Sequence, residues 1–160
     1  MMQVQKQSRV EVVVDATVPQ VWEVVSDVTR VGEWSHECHG ARWLDDAAGP
    51  APGVRFRGHN QAGWVHWGRT CQIVDVDAPR RLVWQTVSTP LFPDITRWRI
   101  QLEETSDGRT LITQSFTVLR APWLLDRIDA RLVPNHRDRD ARLTEDLVRV
   151  GAVARRGGQP

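Results

Sequence analysis

Hydrophobic and polar positions first alternate and then repeat at helical spacing. In "SRVEVVVDA" (8–16), Val10, Val12 and Val14 fall on one side and Glu11 and Asp15 on the other, the pattern of a half-buried strand. "TVPQVWEVVSDV" (17–28) then places a capping Thr17, an early Pro19 and apolar Val21, Trp22 and Val25 at helical spacing. This predicts a short helix over 19–26, followed by a second short turn over 28–33. "CHGARWL" (38–44) reads as a strand closed by the Pro/Gly loop "DDAAGPAPG" (45–53). Five more strand signals follow: "VRFRGHN" (54–60), "WVHWGRTCQIVDVD" (64–77), "LVWQTVS" (82–88), "ITRWRIQLEE" (95–104) and "RTLITQSFTVLRA" (109–121). They are separated by the turns "QAG", "APRR", "TPLFPD" and "TSDG".

From Pro122 the period changes. Leu125, Ile128, Leu132, Leu143, Leu147 and Val150 lie on one helical stripe, with Pro134 expected to kink or break the helix. Short connections imply an antiparallel, meander-like sheet. Such a sheet must bury its apolar face, and the final helix is the only large element left to cover it. The expected fold is therefore α+β: a curved antiparallel sheet of about seven strands wrapped around a long C-terminal helix, with two short helices after the first strand. That arrangement encloses space.

Length and composition narrow the picture. A chain of 160 residues suits one domain, 1–160, with an ordered core of about 8–152 and a frayed polar tail. Acidic and basic residues are interspersed and nearly balanced, so no nucleic-acid or anionic-membrane footprint is visible. The start of the chain carries no apolar signal region, and no run reaches the length of a membrane span, so stable membrane insertion is not expected. Cys38 and Cys71 then read as reduced thiols in a cytoplasmic protein. Eight tryptophans and no tyrosine are unusual. They fit either a thick core or an aromatic-lined pocket.

"GEWSHECHG" (32–40) crowds Glu33, His36, Glu37, Cys38 and His39 around Trp34. Strand alternation separates His36 and Cys38 from His39, which argues against convergence on a metal, and no metal or cofactor is expected. On the strands, Trp67, Trp84 and Trp98 share faces with Cys71, Leu82 and Ile100. The same parity turns Arg69 inward with Trp67, and Gln114 inward with Ile112 and Phe116. Extending the terminal helical stripe through Leu132 reaches His136 and Arg139. Inward arginines need a partner or a ligand anion. The alternative is that Arg69 reaches a rim and Arg139 faces solvent beside Pro134. There is no nucleophile elbow, phosphate loop or paired-cysteine motif.

Three segments, "ATVPQVWEVVSDVTRVGEWS" (16–35), "GPAPGVRFRGHNQAGWVHWGRTCQIVDVDAPRRLVWQT" (49–86) and "TRWRIQLEETSDGRTLITQSF" (96–116), resemble the START-like (SRPBCC) superfamily of polyketide cyclase/dehydrase and lipid-transport proteins. The resemblance spans about 8–152 and is greatest to the uncharacterised actinobacterial-type members. It implies a helix-grip fold with a cavity between sheet and helix for an apolar or amphipathic molecule, and no single reaction. It also makes Trp34 a wedge between the short helices and the sheet.

The expected function is binding, sequestration or transport of a hydrophobic or aromatic small molecule, lipid or polyketide-like. Trp34, Phe56, Trp67, Trp84, Trp98 and Phe116 would supply apolar contact. Arg69, Gln114, His136 and Arg139 would meet the ligand's polar parts. The alternatives are a cyclase or dehydratase using His136 or Glu37 as acid–base, and a protein-interaction module whose rings fill their own cavity.

Overall fold

The structure is a computed structural model and describes residues 4–158. β1 (Gln7–Val14) leads through α1 (Val18–Val25) and a 3-10 turn (Val28–Glu33) to β2 (Cys38–Trp43). A meander follows: β3 (Arg55–Ala62), β4 (Val65–Asp77), β5 (Arg81–Thr86), β6 (Ile95–Glu104) and β7 (Thr110–Arg120). The chain ends in α2 (Trp123–Leu132), a 3-10 turn (Pro134–Arg137) and α3 (Asp140–Gly157). All seven strands form one antiparallel sheet in the order β1-β7-β6-β5-β4-β3-β2. The helix-grip arrangement is present, and the curved sheet stays open, with β1 and β2 as its edges.

Local chemistry places the first helix. Thr17 Oγ1 accepts from the backbone N–H of Gln20, and Gln20 Oε1 accepts from the N–H of Thr17, a reciprocal cap. Because α1 and the 3-10 turn carry the chain from one edge strand to the other, they close one end of the concave face. The main core lies there: Val10, Val14, Val21, Ile100, Ile112, Leu147 and Val150 are all buried where β1, β7, β6 and α1 meet α3. A smaller cluster of Val28, Phe56, Cys71, Ile73 and Leu82 packs under the β3–β5 half. The space between these two clusters is not filled.

The C-terminal stripe does not run along one helix. α2 stops at Leu132, because Pro134 has no N–H for the helical ladder and forces Val133 out of helical geometry (φ −125°, ψ 80°). Leu143, Leu147 and Val150 are buried in α3, whereas Leu125, Ile128 and Leu132 of α2 are partly exposed and face the unfilled space. The chain's N-terminal end also reaches this break. The Gln5 backbone N–H donates to the carbonyl of His136 at 2.8 Å, its Oε1 accepts from the backbone N–H of Arg139 at 2.7 Å, and Lys6 pairs with Asp126. Regular structure thus begins before residue 8 and continues to Gly157, beyond the expected 152. The end of the tail expected to fray, residues 159–160, lies outside the described residues.

Candidate ligand cavity

Between the concave sheet and α2–α3 lies a cavity of about 500 Å³. Strand parity alone puts Trp67, Trp84, Trp98 and Phe116 on its wall. Trp84 and Trp98, paired across β5 and β6, stack with centroids 6.2 Å apart and planes 7° from parallel. Trp98 also meets Phe116 at 4.9 Å. Phe56 lines the β3 side and packs edge-on against Trp43 at 5.9 Å. Trp34 is buried in the main core and reaches the cavity as well, so the expected wedge forms part of the wall.

Polar groups are few and concentrated. Glu37, at the entry to β2, accepts a hydrogen bond from Nε2 of His136. Nδ1 of the same ring donates to Asp129 Oδ2 at 2.6 Å, and the ring edge meets Trp67 with centroids 5.7 Å apart. The two weak acid–base candidates are therefore bonded partners, with Asp129 as a third member. Burial opposes charge on both groups but does not win. Hydrogen bonds to Asp129 and Glu37 raise the His136 pKa above its ordinary 6.5. The His136 bond and the positive charges of Arg139 and His136 hold the Glu37 carboxyl down at about 2. The cluster thus places the His136 ring between two carboxyl groups on the cavity wall.

The inward arginines differ. Arg69 is held by Asp94, with Nη1 donating to both carboxylate oxygens at 2.9 and 3.0 Å, and lies 5.1 Å from the Phe92 ring centre. Arg139 does not turn out to solvent beside Pro134. Its guanidinium lies over Phe116 at 5.3 Å and Trp98 at 5.7 Å. Arg139 Nε, Gln114 Oε1 and Trp34 Nε1 are buried without a protein hydrogen-bond partner, and all three residues line the cavity. Such orphaned groups are uncommon in folded interiors.

Residues 5–149 match the family described as polyketide cyclase / dehydrase and lipid transport. The chain belongs to that family. The solved structures agree at the level of fold. A Nitrosomonas europaea protein is 13% identical, covering 95% of this chain and 96% of its own, with a TM-score of 0.66. The major latex-like protein 151 of Panax ginseng is 11% identical over 96% of this chain and 97% of its own, with a TM-score of 0.63. A protein from the dynemicin biosynthetic locus is 17% identical over 96% of this chain but 48% of its own, with a TM-score of 0.63. No curated protein matches the sequence.

Membership in the polyketide cyclase / dehydrase and lipid transport family supports a hydrophobic ligand-binding or polyketide-related function. The crowded "GEWSHECHG" stretch resolves into three separate roles. His36 bonds Asp146 of α3 through Nδ1 at 2.7 Å, Glu37 bonds His136, and Cys38 lies beside Gly40 at a break in strand register. Burial pushes the Cys38 thiol up to about 11 and the Cys71 thiol up to about 12, so both carry their proton at neutral pH. Among the described residues, no group of three His, Cys, Asp or Glu is arranged to hold a metal ion. Also among them, no helix is long and apolar enough to cross a membrane.

Sequence reasoning missed Asp94, Asp129 and Asp146, the carboxylates that hold Arg69, His136 and His36. Asp94 ends the proline-bounded loop "TPLFPD", and Asp129 and Asp146 lie in charged stretches that read as solvated surface. It reached His136 and Arg139 by extending a helix that stops before them. They face the cavity from a 3-10 turn and from the residue that caps α3.

Proposed function

We propose that the protein binds a hydrophobic ligand containing flat rings, lipid or polyketide-like, and sequesters or carries it in this cavity. The observation that carries the reading is the stacked Trp84–Trp98 wall of a void of about 500 Å³, within the range of small-molecule pockets. Trp67, Phe56, Phe116 and Trp34 extend the apolar contact. Arg139, Gln114, Arg69 and His136 orient the ligand's polar end. A void of this size also weighs against rings that merely fill their own space. The setting proposed is cytoplasmic, which the two free cysteines support.

Native mass spectrometry of freshly purified protein tests this directly, with a co-purifying small molecule expected. Titration with naphthalene and with acyl-chain probes should quench indole fluorescence in the wild type and much less in Trp98→Ala. Absence of any bound mass together with no response to either probe class would overturn the reading.

A second reading, a cyclase or dehydratase, is favoured by one observation: His136 and Glu37 bond each other on the cavity wall. In it, His136 carries a proton to or from the bound molecule. Turnover that His136→Gln abolishes while probe binding persists would separate catalysis from carriage.

A further inference from the structure

His36 and His136 both border the cavity, but they are held differently. His136 has both ring nitrogens engaged, Nδ1 by Asp129 and Nε2 by Glu37, so neither is open to a bound molecule. His36 has one engaged. Its Nδ1 donates to Asp146 Oδ2 at 2.7 Å, and its Nε2 has no hydrogen-bond partner among the described residues.

The support for the His36 ring is built into the fold. Asp146 lies on α3, is 2% exposed and borders the same cavity. Its other oxygen, Oδ1, accepts from the backbone N–H of His36 at 2.9 Å and from Nη2 of Arg149. Arg149 Nε in turn donates to the Trp34 carbonyl at 2.9 Å. Backbone and side chain of His36 are therefore tied to one dry carboxylate. A carboxylate on Nδ1–H leaves Nε2 as the basic nitrogen of the neutral ring, and it stabilises the imidazolium once a proton arrives. Two N–H donors without a protein partner, Trp34 Nε1 and Arg139 Nε, also border the cavity. Such donors suit an oxygen that gains negative charge as a proton leaves the carbon beside it.

We propose that His36, positioned by Asp146, is a general base that enolises a flat-ring ketone bound in the cavity. Nε2 takes a proton from the carbon next to the carbonyl. The C–H electron pair becomes the carbon–carbon double bond of the enolate, and the charge passes to its oxygen. Return of the proton from Nε2 to carbon closes the cycle, so no oxidant, reductant or co-reactant is consumed. The role rests on the ring-binding reading of the cavity and assigns the base to a histidine other than His136.

β-Tetralone, a fused-ring ketone, is the probe. Its binding is read from indole fluorescence, and exchange of its α-protons in heavy water is followed by proton NMR. Wild-type protein should speed exchange above the buffer rate, and His36→Gln should bind the ketone yet exchange it at least about a hundredfold more slowly. Nitrogen-15 NMR of the wild type should show the neutral His36 ring protonated at Nδ1. In Asp146→Asn the amide oxygen keeps the backbone and Arg149 bonds and the amide NH2 faces Nδ1, so the proton should move to Nε2 and exchange should fall while binding persists. Bound tetralone that does not exchange, exchange that survives His36→Gln, or a wild-type ring protonated at Nε2 each overturns the proposal. So does failure of tetralone to bind where naphthalene binds. Failure of tetralone, naphthalene and acyl-chain probes alike removes the ring-binding reading itself, and the two failures are thereby distinguished.

Discussion

Nε2 of His136 is hydrogen-bonded to Glu37 across 99 positions of sequence, which ties the turn after α2 to the entry of β2. Neither group is free to face water, and Asp129 holds the other ring nitrogen. Removing either His136 or Glu37 strands the other in a poorly solvated wall. Glu37→Ala and His136→Ala should each cost about 3 kcal/mol in urea unfolding. The double variant should cost less than the sum, with a coupling of about 2 kcal/mol. Strict additivity would show that the two side chains do not interact in solution.

The same cluster sets the pH dependence of stability. The folded pKa of His136 is raised above 6.5, so its contribution is complete below 6.5 and is lost as pH rises through the raised value. Glu37 acts in the opposite direction. Its contribution is complete above 4.5 and is lost as pH falls toward about 2. Unfolding midpoints measured across this range should fall at both ends, and Glu37→Gln should flatten both limbs. A basic limb unchanged in Glu37→Gln would contradict the assignment.

Gln114 occupies a core position between Ile112 and Phe116, and its Oε1 has no partner. Leucine has similar volume and no polar atom to strand. Gln114→Leu should therefore stabilise the unliganded protein by about 1 kcal/mol, read as a rise in Tm. A fall in Tm would mean that the amide is satisfied in solution.

Gly151 is where α3 lies against β1. A Cβ there would come within 2.6 Å of Val14 Cβ and Cγ1. Gly151→Ala should push the helix from the strand and destabilise the fold by about 2 kcal/mol, measured by chemical denaturation. Gly40→Ala, where an added Cβ meets nothing within 4 Å, is the matched control.

The cavity wall was legible in the sequence to the extent that strand parity is local. Trp67, Arg69 and Cys71 on β4, and Ile112, Gln114 and Phe116 on β7, face the cavity or core as their alternation requires. Leu125, Ile128 and Leu132 were legible as an apolar stripe, but not as one without a packing surface beneath it. That depends on how far Pro134 and the Gln5 contacts turn α2 from the line of α3.

The sequence by itself determined the strand order of residues, the inward face of each strand and the break at Pro134. These follow from side-chain direction and backbone sterics within a few residues. Tertiary structure alone decided that Glu37, Asp129 and His136 meet, that Asp94 holds Arg69, and that a cavity opens beside Trp84 and Trp98. Those facts depend on distances between elements far apart in the chain, which are fixed only when the sheet curves and the helices settle on it.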